Sequence, residues 1–192
     1  MVQPPYTRAG YSMNSTSTLV PQASLGRLVD YAHAACCAPM DEMADRMQAG
    51  FAAVRGAPDL IPPAARRGDP ARYTRHLLHA DPAGRFSIVA LVWGRGQFSP
   101  VHGHHAWCAY MVTDGELTET SFTYDIATRS AVSTAIVRHA AGTTSFAFAG
   151  LDAIHKLGNG GDNDALSIHI YGLDGARVGT HVNRLVPLAA AG

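Results

Sequence analysis

From Gly84 onward the chain breaks into short runs rich in β-branched and aromatic residues, with no helical stretch between them: RFSIVALVW, HAWCAYMVT, ELTETSFTYD, VSTAIVRHA, TTSFAFA, DAIHKLG and ALSIHIYGL. Such residues suit a half-buried pleated surface, and Gly, Asp and Asn between the runs supply turns. Closely spaced strands without intervening helices form an antiparallel sandwich or barrel. The predicted fold class is therefore mainly β over residues 84–192.

The preceding segment follows a different period. Leu25, Leu28, Val29 and Ala32 recur at three- and four-residue steps, which predicts a helix from Ala23. Pro39 interrupts it. Asp41 is the predicted cap of a second helix carrying Met43, Met47 and Phe51 to about Val54. Cys36 and Cys37 fall in the small-residue run AHAACCA, where helix packing is the plain reading. APDLIPPAARRGDP is a Pro-rich connection. A short helix through Tyr73, Arg75, Leu77 and Leu78 is expected next. Residues 1–22 are polar and read as a poorly ordered leader, and residues 23–192 as one domain, 23–83 mostly helical and 84–192 the barrel.

Bulk properties exclude several function classes. With 15 basic and 15 acidic side chains and no long Lys/Arg run, nothing suggests a nucleic-acid or anionic-membrane footprint. A small molecule is the expected partner, and no obligatory protein partner is inferred. No apolar stretch reaches spanning length. Three cysteines, two of them adjacent, make no disulfide framework, so a reducing, cytoplasmic setting is expected.

Ten histidines are many for 192 residues. His33, His76, His79 and His139 read as surface or helix-flank residues. His102 and His104 differ, because residues two apart on a strand face the same side and would direct two imidazoles into a barrel interior. His105 faces the other way. Gly96 and Gly115 frame them as G-x5-HxH-x3-C-x6-G, which resembles the first cupin motif with Cys108 where a Glu is usual. Gly142, Gly150, His155 and Asn159 resemble the second motif, which adds a third histidine from a distant strand. Phe148 stands where Pro is usual, and the gap from Gly150 to His155 is longer.

Losing that Glu matters chemically. Two His and one carboxylate make the facial set of many non-haem Fe(II) oxygenases. Three neutral imidazoles instead leave a dication with its full charge, which attracts an anionic ligand such as a thiolate. Imidazole equally suits Zn, Ni or Cu.

The blocks YTRHLL, SPVHGHHAWC, AIHKLGN and LSIHIYG, in that order, resemble the cysteine dioxygenase family of thiol dioxygenases from Tyr73 to about Gly172. The resemblance implies a cupin-type barrel and Fe(II) held by His102, His104 and His155. It implies that Arg75 holds the substrate carboxylate with support from Tyr73. Ser167, His169 and Tyr171 match the family's hydrogen-bonded Ser-His-Tyr series. Cys108 matches the cysteine that becomes thioether-linked, in some members, to the tyrosine equivalent to Tyr171. The implied reaction inserts both atoms of O2 into the sulfur of L-cysteine, giving cysteine sulfinate.

The residues themselves agree. Ser167, His169 and Tyr171 alternate along one strand and share a face. Cys108, four residues after His104, is placed by the same parity on the metal-facing side. Taken singly, Arg75 has the plainer reading of a surface ion pair and Cys108 of an inert buried thiol. Many members carry Asp between the two histidines, where this chain has Gly103. The block LLHADPAGRFSIVALVWGRGQFSPVH also resembles bacterial 3-mercaptopropionate dioxygenases, in which Gln commonly replaces Arg75. 3-Mercaptopropionate and mercaptosuccinate are therefore alternative substrates. Arg177 and Arg184 have no assigned place. A non-catalytic metal-binding cupin and a Zn or Ni cupin enzyme are the rival classes.

Overall fold

The computed structural model describes residues 23–189; the leader expected over residues 1–22 lies outside the described residues. Among the described residues two α-helices, α1 (Ala23–Cys36) and α2 (Met43–Val54), precede ten strands. The strands are β1 (Thr74–Ala80), β2 (Ser87–Trp93), β3 (His102–His104), β4 (Cys108–Asp114), β5 (Glu116–Asp125), β6 (Ser130–Ala140), β7 (Thr144–Ala147), β8 (Gly150–Gly158), β9 (Ala165–Tyr171) and β10 (Asn183–Leu185). They form two five-stranded sheets, ordered β1-β2-β9-β4-β7 and β10-β3-β8-β5-β6. Every strand pairing within them is antiparallel. This is the cupin-type jelly roll with an N-terminal helical segment that the sequence predicts.

Alternation along the first sheet decides what enters the barrel. On β2, Ile88, Ala90 and Val92 join a core with Leu28, Met47 and Phe51 of the helices, whereas Val89, Leu91 and Trp93 join the interior core. On β9, Ile168 and Ile170 face the helices, which leaves Ser167, His169 and Tyr171 on the interior side. Because the helices cover the outer face, β2 and β9 are buried along their whole length. Each large apolar side chain buried there contributes about 1.5–3 kcal/mol.

Two sequence expectations are corrected. The segment through Tyr73, Arg75, Leu77 and Leu78 is not a helix; residues 74–80 form β1, whose Arg75 lies opposite Leu91 of β2. Pairing with β2 overrides a local composition that carries little β preference. Asp41 does not cap α2. It lies inside a 3-10 turn, Met40–Glu42, and the N-cap residue Glu42 makes no side-chain capping bond.

Candidate metal centre

His102 and His104 occupy the ends of β3, and His155 lies directly opposite His102 on β8. The three rings converge, with centroids 4.6 to 5.6 Å apart, and one ligand atom from each lies within 4.8 Å of the others. Among the described residues no carboxylate or thiol joins this cluster. His102 Nδ1 is 2.8 Å from the Pro100 carbonyl oxygen, so its Nε2 is the nitrogen left for a metal. His155 Nδ1 is 2.5 Å from Glu119 Oε1, which frees its Nε2 in the same way. The buried Nδ1 of His104 has no hydrogen-bond partner among the described residues.

These environments fit a metal. Burial, reinforced by the neighbouring His155, holds His102 well below the usual imidazole range and His104 at about 4. Both are therefore neutral near pH 7, the state in which imidazole ligates. For His102 and His155 an acceptor on the remote ring nitrogen fixes the tautomer, as is usual for metal-binding histidines.

Two departures in the sequence have one structural cause. β3 advances two residues from His102 to His104 while β8 runs five from His155 to Gly150. The extra residues bulge, and the Gly150 carbonyl oxygen passes where a side chain at position 103 would stand: a Cβ there would lie 2.4 Å from it. Gly150 itself has φ +135°. The long Gly150–His155 gap and the Gly between the histidines thus accompany each other.

Across the interior stands the Ser167–His169–Tyr171 row. Ser167 Oγ is 2.9 Å from His169 Nε2, and His169 Nδ1 is 3.2 Å from the Tyr171 hydroxyl. Trp93 Nε1 donates to Ser167 Oγ at 2.9 Å. Burial pushes the Tyr171 phenol far up, with Arg75 opposing it through charge and a hydrogen bond. Burial likewise raises the Cys108 thiol. Cys108 lies opposite Tyr171 across the β4–β9 ladder. It does not share a strand with His104, so counting four residues from His104 gives no valid parity. Its place comes from β4, where Cys108, Tyr110 and Val112 alternate inward.

Arg75 Nη2 donates to the Tyr73 hydroxyl at 2.9 Å, and the Tyr73 ring stacks on Trp93 at 4.5 Å between centroids. Arg75, Cys108, His169 and Tyr171 line one cavity with the three clustered histidines. Arg177 and Arg184 do not line it. Ser167 stands behind His169, and Tyr73 behind Arg75. Asn159 serves a turn instead, donating to the Trp93 and Asn163 carbonyls.

Sequence reasoning missed several residues. Glu119 accepts from His155, from Tyr110 Oη at 3.0 Å and from His139 Nε2 at 2.7 Å. His139 is therefore not a simple surface residue. Burial pushes the Glu119 carboxyl up, but the bonds from His155, His139 and Tyr110 outweigh that and hold it at about 2. The available signal was parity: Leu117 and Glu119 alternate on the same face of β5, and Leu117 is fully buried. Trp93, Tyr110 and Asn183 also line the cavity and carried no motif.

The family model for cysteine dioxygenase type I matches residues 64–174. Among solved structures, the chain is similar to the TT1209 protein of Thermus thermophilus, with 20% identity, covering 57% of this chain and 91% of that one, at a TM-score of 0.45. It is also similar to a cupin 2 conserved barrel domain protein from Salinispora arenicola, with 21% identity, covering 60% and 86%, at a TM-score of 0.42.

Proposed function

We propose, from the premise that the chain belongs to the cysteine dioxygenase type I family, that it is an Fe(II)-dependent dioxygenase converting L-cysteine to cysteine sulfinate. The observation that carries this reading is the pairing of a carboxylate-free histidine cluster with an arginine and a Ser-His-Tyr row around one cavity. In the reaction RSH + O2 → RSO2H both oxygen atoms end on sulfur and no external reductant is consumed. Fe(II) held by His102, His104 and His155 would supply a centre that takes thiolate and O2 together and favours the ionised thiol.

The chain's own residues do the rest. Arg75 receives the substrate carboxylate on its planar guanidinium, which Tyr73 steadies by accepting from Nη2. Arg75 is the one arginine lining the cavity among the described residues, which favours a monocarboxylate over mercaptosuccinate. The Ser167–His169–Tyr171 row sets the direction of a proton. Trp93 donates to Ser167 Oγ, and the buried Ser167 hydroxyl then satisfies its own hydrogen by donating to His169 Nε2. His169 Nδ1 in turn donates to the Tyr171 oxygen, and the phenolic proton is left to point into the cavity. Because burial keeps that phenol protonated, Tyr171 offers a donor to an oxygen atom near sulfur. Cys108, opposite Tyr171 across the ladder, would form a thioether to the Tyr171 ring, the two hydrogens lost passing to O2 to give hydrogen peroxide.

The test is O2 uptake by iron-loaded protein with a panel of small thiols. Stoichiometric sulfinate from cysteine, at a kcat/KM above that for 3-mercaptopropionate and mercaptosuccinate, supports the reading. No turnover of any thiol by the iron-loaded protein defeats it.

A further inference from the structure

The three clustered histidines are not equivalent behind their rings. His102 is backed by a backbone carbonyl, His104 by no hydrogen-bond partner among the described residues, and His155 by a carboxylate. Glu119, on β5, stands on the remote side of the His155 ring, so it belongs to no ligand cluster and cannot replace the absent acidic ligand directly. Its side chain is only 16% exposed. Its two oxygens are divided: Oε1 serves His155, while Oε2 takes His139 Nε2 and the Tyr110 hydroxyl. Two further groups therefore fix the plane of the carboxylate before it meets the imidazole. Tyr110 also stacks on His169, with centroids 5.2 Å apart and planes at 21°, which ties this network to the row across the cavity.

We propose that Glu119 is the positioning residue of the metal centre: it locks His155 in the Nδ1–H form with Nε2 presented to the metal, and it returns to the site the single negative charge that an all-imidazole ligand set lacks. A carboxylate on the remote ring nitrogen raises imidazole basicity and strengthens its bond to a cation. The charge sits one ring away from the metal rather than on it. A coordination position that a ligating carboxylate would fill stays open, while part of the dication's charge is still offset. His155 becomes the strongest of three unequal donors. This inference rests on the reading that the cluster binds a divalent metal, but not on which thiol is oxidised.

The test uses the full chain. Co(II) affinity is measured by competition with a chromophoric chelator, and the Fe(III)/Fe(II) midpoint potential by redox titration, for the wild type, Glu119→Gln and Glu119→Asp. Glu119→Gln keeps the shape and removes the charge; Co(II) affinity is expected to fall about 10–100-fold, with a more positive midpoint. Glu119→Asp keeps the charge but withdraws it from the ring, so affinity falls while the midpoint stays nearer the wild type. It also serves as the second variant if Glu119→Gln fails to fold. Glu119→Gln binding Co(II) within twofold of wild type at an unchanged midpoint overturns the proposal. Wild-type protein that binds neither Co(II) nor Fe(II) overturns the metal-centre reading beneath it, a result distinguishable because it does not depend on residue 119.

Discussion

Replacing Gly103 tests whether the bulge in β8 sets the metal geometry. A Cβ at this position would lie 2.4 Å from the Gly150 carbonyl oxygen and 2.9 Å from Leu151 Cδ2. Leu151 can rotate, but the carbonyl is backbone, at a residue already held at φ +135°. Relief to even 3.0 Å requires β3 and β8 to part by 3.0 − 2.4 = 0.6 Å. Overpacking of this kind costs about 1–3 kcal/mol. Metal sites tolerate ligand errors of only about ±0.2 Å, and the displaced strands are those carrying His102, His104 and His155. Gly103→Ala is therefore expected to lower apo-protein stability by about 1–3 kcal/mol in urea titration. It should also weaken Co(II) binding at least tenfold, which is about 1.4 kcal/mol. Gly103→Asp, although it restores the residue common in the resembled family, should be worse, since its carboxylate enters the space of Leu151 as well. Gly103→Ala protein of wild-type stability, with unchanged Co(II) affinity, would refute the argument.

Arg75→Ala should reduce kcat/KM for cysteine roughly 10–100-fold, the worth of a charge-assisted hydrogen bond. The loss should be much smaller for cysteamine, which has no carboxylate, and equal losses would remove Arg75 from substrate binding. Intact mass under denaturing conditions after aerobic turnover with iron should show a species two hydrogens lighter, absent in Cys108→Ala; a full-mass species alone would exclude the thioether. Acid should weaken the metal-free fold. Burial first, then His155, lowers His104 from 6.5 to about 4, so the unfolded chain takes up its proton before the native state does. Stability on this account is fully present above about pH 6.5 and declines by about 3 kcal/mol as pH falls to 4. Urea titrations between pH 8 and 4 that show no slope would contradict it.

Six of the seven β runs are legible because they are rich in β-branched or aromatic residues with Gly, Asp or Asn at or close after their ends, while DAIHKLG has Ile154 alone and is marked by its histidine motif. β1 was not, since TRHLLHA becomes a strand only by lying along β2. β3 and β10, at three residues each, are too short for any period to show. His102, His104 and His155 stood out by motif, and the alternation of Ser167, His169 and Tyr171 was sound because all three share β9. Cys108 reaches the cavity, but not by parity with His104, because a turn separates β3 from β4. Glu119 does not stand out in the sequence, because a lone acid on a strand defaults to solvent. His139 escapes a sequence reading because it lies on β6, an edge strand otherwise exposed enough to leave Ile136 at 70%.

The site divides between the two sheets by role. His102, His104, His155 and Glu119 all come from the sheet β10-β3-β8-β5-β6, whereas Arg75, Cys108, Ser167, His169 and Tyr171 all come from β1-β2-β9-β4-β7. The alignment of the three histidines is therefore internal to one sheet, although Glu119 behind His155 is also held by Tyr110 from β4 of the other. The distance from the histidine cluster to Arg75, Cys108 and Tyr171 is set by the packing between sheets. Only the second of these depends on α1 and α2, because their apolar side chains Leu28, Met47 and Phe51 back the outer face of the substrate-side sheet. A cavity opened beneath those helices is expected to loosen Arg75 and Tyr171 relative to the three histidines while leaving β3 and β8 in register. A change at the β3–β8 bulge does the reverse. On the proposed function, the contact of Arg75 with a substrate carboxylate can be perturbed without misaligning the three histidines, since the hydrogen bonds of β3 to β8 do not pass through the sheet that carries Arg75.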